Sequence, residues 1–204
     1  LDAVIWIYQN HANANANFLK QWYDRCNATY KARGGKGDMY MVGEAWEGHS
    51  TESQYYKGIP SCFEFEYFGA LSRALGGNAS SYVSSVTSYI TGHKAQRDDA
   101  ITSIFMTNHD QDRAAESLGK SLAKEKQAAA MLLTTPGKPF IYQGEELGYY
   151  GTKANGDEYV RTPIRLLFAL LLGHCASSAS RSKSPIRITL CPAGCRRQRQ
   201  PHVG

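Results

Sequence analysis

The chain has 204 residues, 42% of them hydrophobic, with a formal net charge of +5. That is enough apolar content for one ordinary core, and it excludes a disordered chain. The charge is local: residues 165–204 carry seven Lys or Arg and no acid, which leaves 16 basic against 18 acidic residues, about −2, in the body before them.

The opening run LDAVIWIY reads as a buried strand and its exit, with neither a start nor a secretion signal, so the N-terminus is read as a cut through an element. In NFLKQWYDRCNATYKA, Phe18, Leu19, Trp22, Tyr23 and Cys26 recur at spacings of three and four, which predicts an amphipathic helix. The cluster GGKGD ends it, and MYMVGEAW follows as a short buried strand with a polar end. SCFEFEYF is the next strand candidate. A helix through Ala70 to Leu75 and a Ser-rich helix or loop around Tyr82 to Ile90 come after it. ITSIFMTNHD reads as another strand with a polar end. The helix SLAKEKQAAAMLLTT is then stopped by Pro136 and Gly137 before the strand KPFIYQGEE. Counting the opening run, five strand candidates are separated by helices, the rhythm of a parallel α/β fold.

Past Ile164 the periodicity vanishes and Ser, Arg, Cys and Pro dominate, so residues 165–204 are expected to be a low-complexity, out-of-frame or disordered basic tail, separate from a domain at 1–164. The tail is the one motive for a nucleic-acid partner. The body lacks basic residues interleaved with aromatics, and none is expected. Five cysteines at irregular spacing build no disulfide framework, and His174, Cys175, Cys191 and Cys195 match no common zinc spacing. The longest apolar run, LLFALLLG, falls far short of the roughly 20 residues that cross a bilayer, so no transmembrane segment is expected. Gly34, Gly35 and Gly37 precede a strand instead of opening a helix, which argues against a phosphate-binding loop.

Asp2, Glu44 and Asp110 each stand at or beside the C-terminal end of a strand candidate, where a parallel barrel gathers its catalytic side chains. Solvent-facing acids also occur there by default, so the surrounding motifs carry the argument. MVGEAW and FMTNHDQDR resemble two sequence blocks of the α-amylase family of glycoside hydrolases. LDAV resembles the end of that family's nucleophile block, and PGKPFIYQGEELG its eighth strand. The order and spacing of the four agree with the family over residues 1–164.

The resemblance implies a partial (β/α)₈ barrel, from the end of strand four through strand eight, and retaining hydrolysis of α-1,4 bonds in starch-like glucans or maltooligosaccharides. It implies Asp2 as nucleophile, Glu44 as general acid and base, and Asp110 as a supporting carboxylate. A retaining glycosidase holds its two main carboxyls about 5–5.5 Å apart. Apolar neighbours Ala45 and Trp46 are expected to raise the Glu44 pKa. His109, Trp46 and Arg113 would contact sugar. Asp157 and Arg161 either hold a sugar or pair as a surface salt bridge. Trp46, Tyr55, Tyr56, Tyr149 and Tyr150 offer faces for stacking or for ordinary packing.

This chain has Ile5-Trp6 where the family often has Lys-His, and the Arg that normally precedes the nucleophile lies before residue 1. Calcium is implied by the family, with ligands mostly upstream of Leu1. The detailed likeness is to gut-bacterial surface or periplasmic amylases, which implies an extracytoplasmic home. An α-1,6-specific or exo-acting α-glucosidase is the alternative enzyme, and a truncated glucan-binding relic the alternative of another class. A complete barrel needs about 250 residues, so little activity is expected from these residues alone.

Overall fold

The computed structural model describes residues 1–9 and 11–164. The expected basic tail therefore lies outside the described residues. Chain contacts set Leu1–Pro163 apart as one compact unit.

A 3-10 turn at Val4–Trp6 leads into helix α1, Ala12–Ala32. Strand β1, Val42–Gly43, is followed by the short helix α2, His49–Glu52, and a 3-10 turn at Ser53–Lys57. Strand β2 is Ser61–Glu64, helix α3 Tyr67–Leu75 and helix α4 Ala79–Gln96. Strand β3 spans Ile101–Phe105, and the helices α5, Ala114–Ser117, and α6, Leu122–Thr134, lead to strand β4, Lys138–Phe140. A last short helix, α7, is Asp157–Val160.

The four strands form one sheet in the order β1-β2-β3-β4, every pair parallel. Sequential neighbours with helices between them are what successive β/α units produce.

The opening run departs from expectation. LDAVIWIY forms no strand: Ala3 takes left-handed angles (φ 43°, ψ 46°) and turns the chain into the 3-10 turn. Its first residue nevertheless lies alongside β1, since the Leu1 amino group donates to Val42 O at 2.7 Å and Glu44 N donates to Leu1 O at 2.9 Å. Buried Asn15 of α1 fixes the path of the chain from Ile5 to Tyr8, donating to Ile5 O at 2.9 Å and accepting from Tyr8 N at 2.7 Å.

The other boundaries have local causes. Helix α4 covers the whole Ser-rich stretch because Asn78 caps it, its side-chain oxygen accepting from Ser81 N at 3.1 Å. Thr135 is extended because the residue before a proline is driven from helical angles, and α6 ends there. At Gly137 (φ +142°) a Cβ would stand 2.7 Å from Thr102 O, so the turn into β4 needs glycine.

Two apolar clusters hold the layers. One joins Leu19 and Tyr23 of α1 to Val4, Met41, Ile59, Cys62, Tyr55 and Tyr56. The other joins Tyr67 and Leu71 of α3 to Ile104, Met106, Leu118, Ala128 and Leu132. Tyr55 and Tyr56 are fully buried here, so they pack the core and present no face to a sugar. The fully buried Ser61 and Ser103 hydroxyls meet at 2.6 Å, and Tyr40 OH reaches Ser103 Oγ at 2.7 Å, which satisfies the polar groups between strands.

Candidate active site

The C-terminal ends of the strands surround a cavity of about 320 Å³ whose wall includes Asp2, Glu44, His109, Phe63, Phe105 and Phe140. The Phe63 ring meets those of Phe105 and Phe140 edge to face, at centroid distances of 5.5 and 4.8 Å, giving the cavity an aromatic wall.

Glu44 follows β1 directly, and its geometry is tied to the chain start. Ala3 N–H donates to Glu44 Oε2 at 3.2 Å, and Val4 N–H donates to Glu44 O at 3.0 Å. The left-handed turn at Ala3 thus places Asp2 beside Glu44. Burial raises the Glu44 carboxyl above its ordinary range; the Ala3 N–H opposes this, while a hydrogen bond with Asp2 and the charges of Asp2 and Asp110 add to it.

Asp110 has the opposite electrostatic setting. Burial alone would raise its carboxyl, but hydrogen bonds from Lys153 and Arg161 outweigh burial and hold it below the usual range. Lys153 Nζ lies 3.2 Å and Arg161 Nη2 2.7 Å from Asp110 Oδ1, and His109 Nε2 lies 3.1 Å from its Oδ2. Asp157 joins the same network, 2.5 Å from Lys153 Nζ and 3.0 Å from Arg161 Nη2. Asp157 and Arg161 therefore do pair with each other, on a base that also holds Asp110. Lys153 escaped the sequence reading, although its i,i+4 spacing to Asp157 in KANGD was the available signal.

Two other expected contacts stand apart from the cavity wall. Trp46 is half-exposed and stacks on Phe65, with centroids 4.8 Å apart and planes within 10°. Arg113 is fully buried, so its expected sugar contact is replaced by an internal role: Nη1 donates to Gln143 O at 2.6 Å, and the guanidinium lies over the Tyr142 and Tyr149 rings at 4.7 and 5.6 Å. Position explains the burial, because Arg113 immediately precedes the buried Ala114 and Ala115 that start α5. Tyr150 is exposed beneath Lys120 Nζ, 4.4 Å from its ring centre.

Glu145, unremarked in the sequence, supports the Arg113 loop. It accepts from Thr107 Oγ1 at 2.8 Å and from Tyr142 N at 3.1 Å, and burial pushes its carboxyl up to about 7 against these bonds.

Among the described residues, His49, Glu52, Glu64 and His93 bring one ligand atom each within 4.8 Å of one another. Two imidazoles do not suit calcium, which takes six to eight oxygen ligands. Sequence inspection missed this cluster as well.

No helix among the described residues is long and apolar enough to cross a membrane. Residues 4–185 match the family described as Alpha amylase, catalytic domain. The chain is 45% identical over 166 residues to Alpha-amylase SusG of Bacteroides thetaiotaomicron, covering 80% of this chain and 24% of that protein. It is 32% identical over 166 residues to Alpha-amylase 3 of Dictyoglomus thermophilum, covering 81% and 32% respectively. Among solved structures it is similar to Eubacterium rectale Amy13B, with 33% identity, a TM-score of 0.67, and coverage of 80% of this chain and 32% of that one. It is also similar to the α-amylase from H. orenii, with 28% identity, a TM-score of 0.63, and coverage of 76% and 31%. The chain thus spans about a quarter to a third of the length of the curated relatives it matches. The parallel sheet with intervening helices is accordingly part of a (β/α)₈ barrel, and the chain belongs to the α-amylase catalytic-domain family of glycoside hydrolases.

Proposed function

We propose that this chain supplies the three carboxylates of a retaining α-glucan hydrolase site, acting on α-1,4 bonds of starch-like glucans or maltooligosaccharides. The observation that carries the reading is the contrast between Glu44, raised by burial beside Asp2 in an aromatic-walled cavity, and Asp110, held ionised by Lys153 and Arg161. Two carboxyls pushed apart in pKa by their surroundings is the electrostatic arrangement that separates an acid from an anion.

In this reading Asp2 attacks the anomeric carbon while Glu44 gives its proton to the leaving oxygen. Glu44 then takes a proton from the water that hydrolyses the glycosyl-enzyme, so the α-configuration is retained. Asp110 stabilises the positive charge that develops on the sugar ring, and His109, on the cavity wall, meets sugar hydroxyls. The names of the relatives, all α-amylases, support the substrate class. An extracytoplasmic home, as the likeness of its motifs to gut-bacterial surface or periplasmic amylases implies, belongs to the same reading.

The aligned segment makes up 24% of one matched relative and 32% of another, so little turnover is expected from the 204 residues alone. Joined to preceding barrel units from a relative, the chain is expected to release mixed oligosaccharides from soluble starch with the α-anomer formed first. Glucose as sole product would replace this reading by an exo-acting glucosidase. A β-anomer would overturn the retaining mechanism.

A further inference from the structure

His49 and Glu52 stand on α2, Glu64 ends β2, and His93 lies in the last turns of α4. Glu52, Glu64 and His93 are at most 1% exposed. Four of the distances between ligand atoms are known. His49 Nδ1 to Glu64 Oε2 is 2.9 Å, His93 Nε2 to Glu52 Oε2 2.8 Å, His93 Nε2 to Glu64 Oε2 3.7 Å and His49 Nδ1 to Glu52 Oε2 4.0 Å. A tetrahedral zinc ion with bonds of about 2.0–2.1 Å needs its ligand atoms about 3.3–3.4 Å apart, a length these four distances bracket.

A second observation points the same way. Glu52 Oε1 is buried without a hydrogen-bond partner. Among the described residues, no Lys or Arg forms an ion pair with Glu52 or Glu64. Two carboxylates buried together without a cation are costly. A divalent ion would balance both while leaving the imidazoles neutral, and its charge would offset the burial of the unpartnered Oε1 beside it.

The surroundings already orient the ligands. Thr102 Oγ1 lies 2.8 Å from His93 Nδ1, the outer-shell contact a metal-bound histidine needs on its far nitrogen. The Tyr56 ring stacks on His93 at 4.1 Å, and Tyr89 packs against His49 at 4.9 Å. Gly92 makes room for the His49 ring, since a Cβ there would meet His49 Nε2 at 2.7 Å.

We propose that His49, Glu52, Glu64 and His93 form a structural zinc site that clamps α2 to β2 and α4. Imidazole with carboxylate selects a first-row ion such as zinc over calcium or magnesium. Four protein donors leave no open position, which makes the site structural rather than catalytic. Its effect would be to fix the segment that begins three residues after Trp46, and so the exit of β1, which Glu44 follows. The His49 side chain, 16% exposed, is the entry route.

The test uses the untagged full chain with Cys175, Cys191 and Cys195 changed to Ser, so that tail thiols do not compete. It is stripped with chelator and titrated with Co²⁺ and then Zn²⁺ under reducing conditions. One equivalent of cobalt is expected to give an intense visible band of tetrahedral type, displaced by one equivalent of zinc. H49A should abolish that band, and T102V should weaken zinc binding by about 10–100-fold, the usual loss for an outer-shell partner. H49C should keep binding and add a near-ultraviolet thiolate-to-cobalt band, which reads ligation directly even where H49A loses structure. Absence of binding, a weak octahedral-type spectrum, an unchanged band in H49A, or no thiolate band in H49C would each overturn the site.

Discussion

Arg161 Nη2 lies 2.7 Å from Asp110 Oδ1, and the same nitrogen reaches Asp157 Oδ2 at 3.0 Å. One guanidinium thus bridges two carboxylates, while Lys153 bridges the same pair from another direction. The bridge keeps Asp110 ionised against its partial burial. A depressed carboxylate contributes stability that is present above its unfolded pKa and lost as the pH falls through the lower folded value. Because the Asp110 side chain is 33% exposed, screening by water keeps that contribution below about 1 kcal/mol. R161A is therefore expected to leave the melting temperature nearly unchanged while moving the Asp110 titration to higher pH. Carboxyl-carbon NMR checks this, and an unmoved Asp110 titration would show that Lys153 alone sets it.

E44Q keeps the shape of the side chain and its acceptance of the Ala3 N–H, but it carries no transferable proton. In the barrel-completed enzyme, kcat should fall by about 10²–10⁴-fold, the usual share of a general acid. The folded state should be unaffected. The same proton sets the alkaline limb of the activity profile: Glu44 is raised, so activity should persist to a higher pH than an ordinary carboxyl allows. Removing the Asp110 charge with D110N should lower the Glu44 titration, because one source of repulsion is gone. An upward shift would contradict the electrostatic account.

How much of this was legible in the sequence depends on how local the signal is. Strands β2, β3 and β4 and helices α1 and α6 follow from apolar spacing and from Pro136 and Gly137, all read over a few residues. The opening run misled because its apolar content is that of a strand, whereas the turn at Ala3 depends on hydrogen bonds to β1 some 41 residues away. The motifs singled out Asp2 and Glu44, and the structure brings both to the wall of one cavity. Arg113 sits in an equally distinctive motif, yet its guanidinium packs inward on Tyr142. The His49 cluster was invisible for a different reason: His93 and Glu52 are 41 positions apart, and only the i,i+3 pair His49 and Glu52 hinted at a shared face.

Arg113 gives a test that separates burial from binding. Lysine keeps the charge but loses the planar fork that stacks on Tyr142 and Tyr149 and donates to Gln143 O. R113K is expected to cost about 1–3 kcal/mol of stability, the range for leaving a buried polar group unsatisfied. A denaturant midpoint should register it. A raised KM for glucan with an unchanged midpoint would restore Arg113 as a sugar contact.

Glu145 supplies the clearest dependence on pH. Its carboxyl is pushed up to about 7 from an ordinary 4.5, chiefly by burial, so the folded state prefers it protonated. A raised carboxyl contributes stability that is fully present below the unfolded value and lost as the pH rises through the folded one, here between about 4.5 and 7. At pH 8 the ionised carboxylate then costs up to about 3 kcal/mol relative to a neutral group in the same place. Glutamine fits the existing bonds: its oxygen can accept from Tyr142 N while its amide donates to Thr107 Oγ1, which reverses its own hydrogen bond. E145Q should therefore raise the melting temperature at pH 8, leave it nearly unchanged at pH 4, and flatten the stability profile between them. Melting curves across that range decide the matter. A variant destabilised at pH 8 would mean that the Glu145 charge is needed near Arg113, and that the guanidinium outweighs burial at this position.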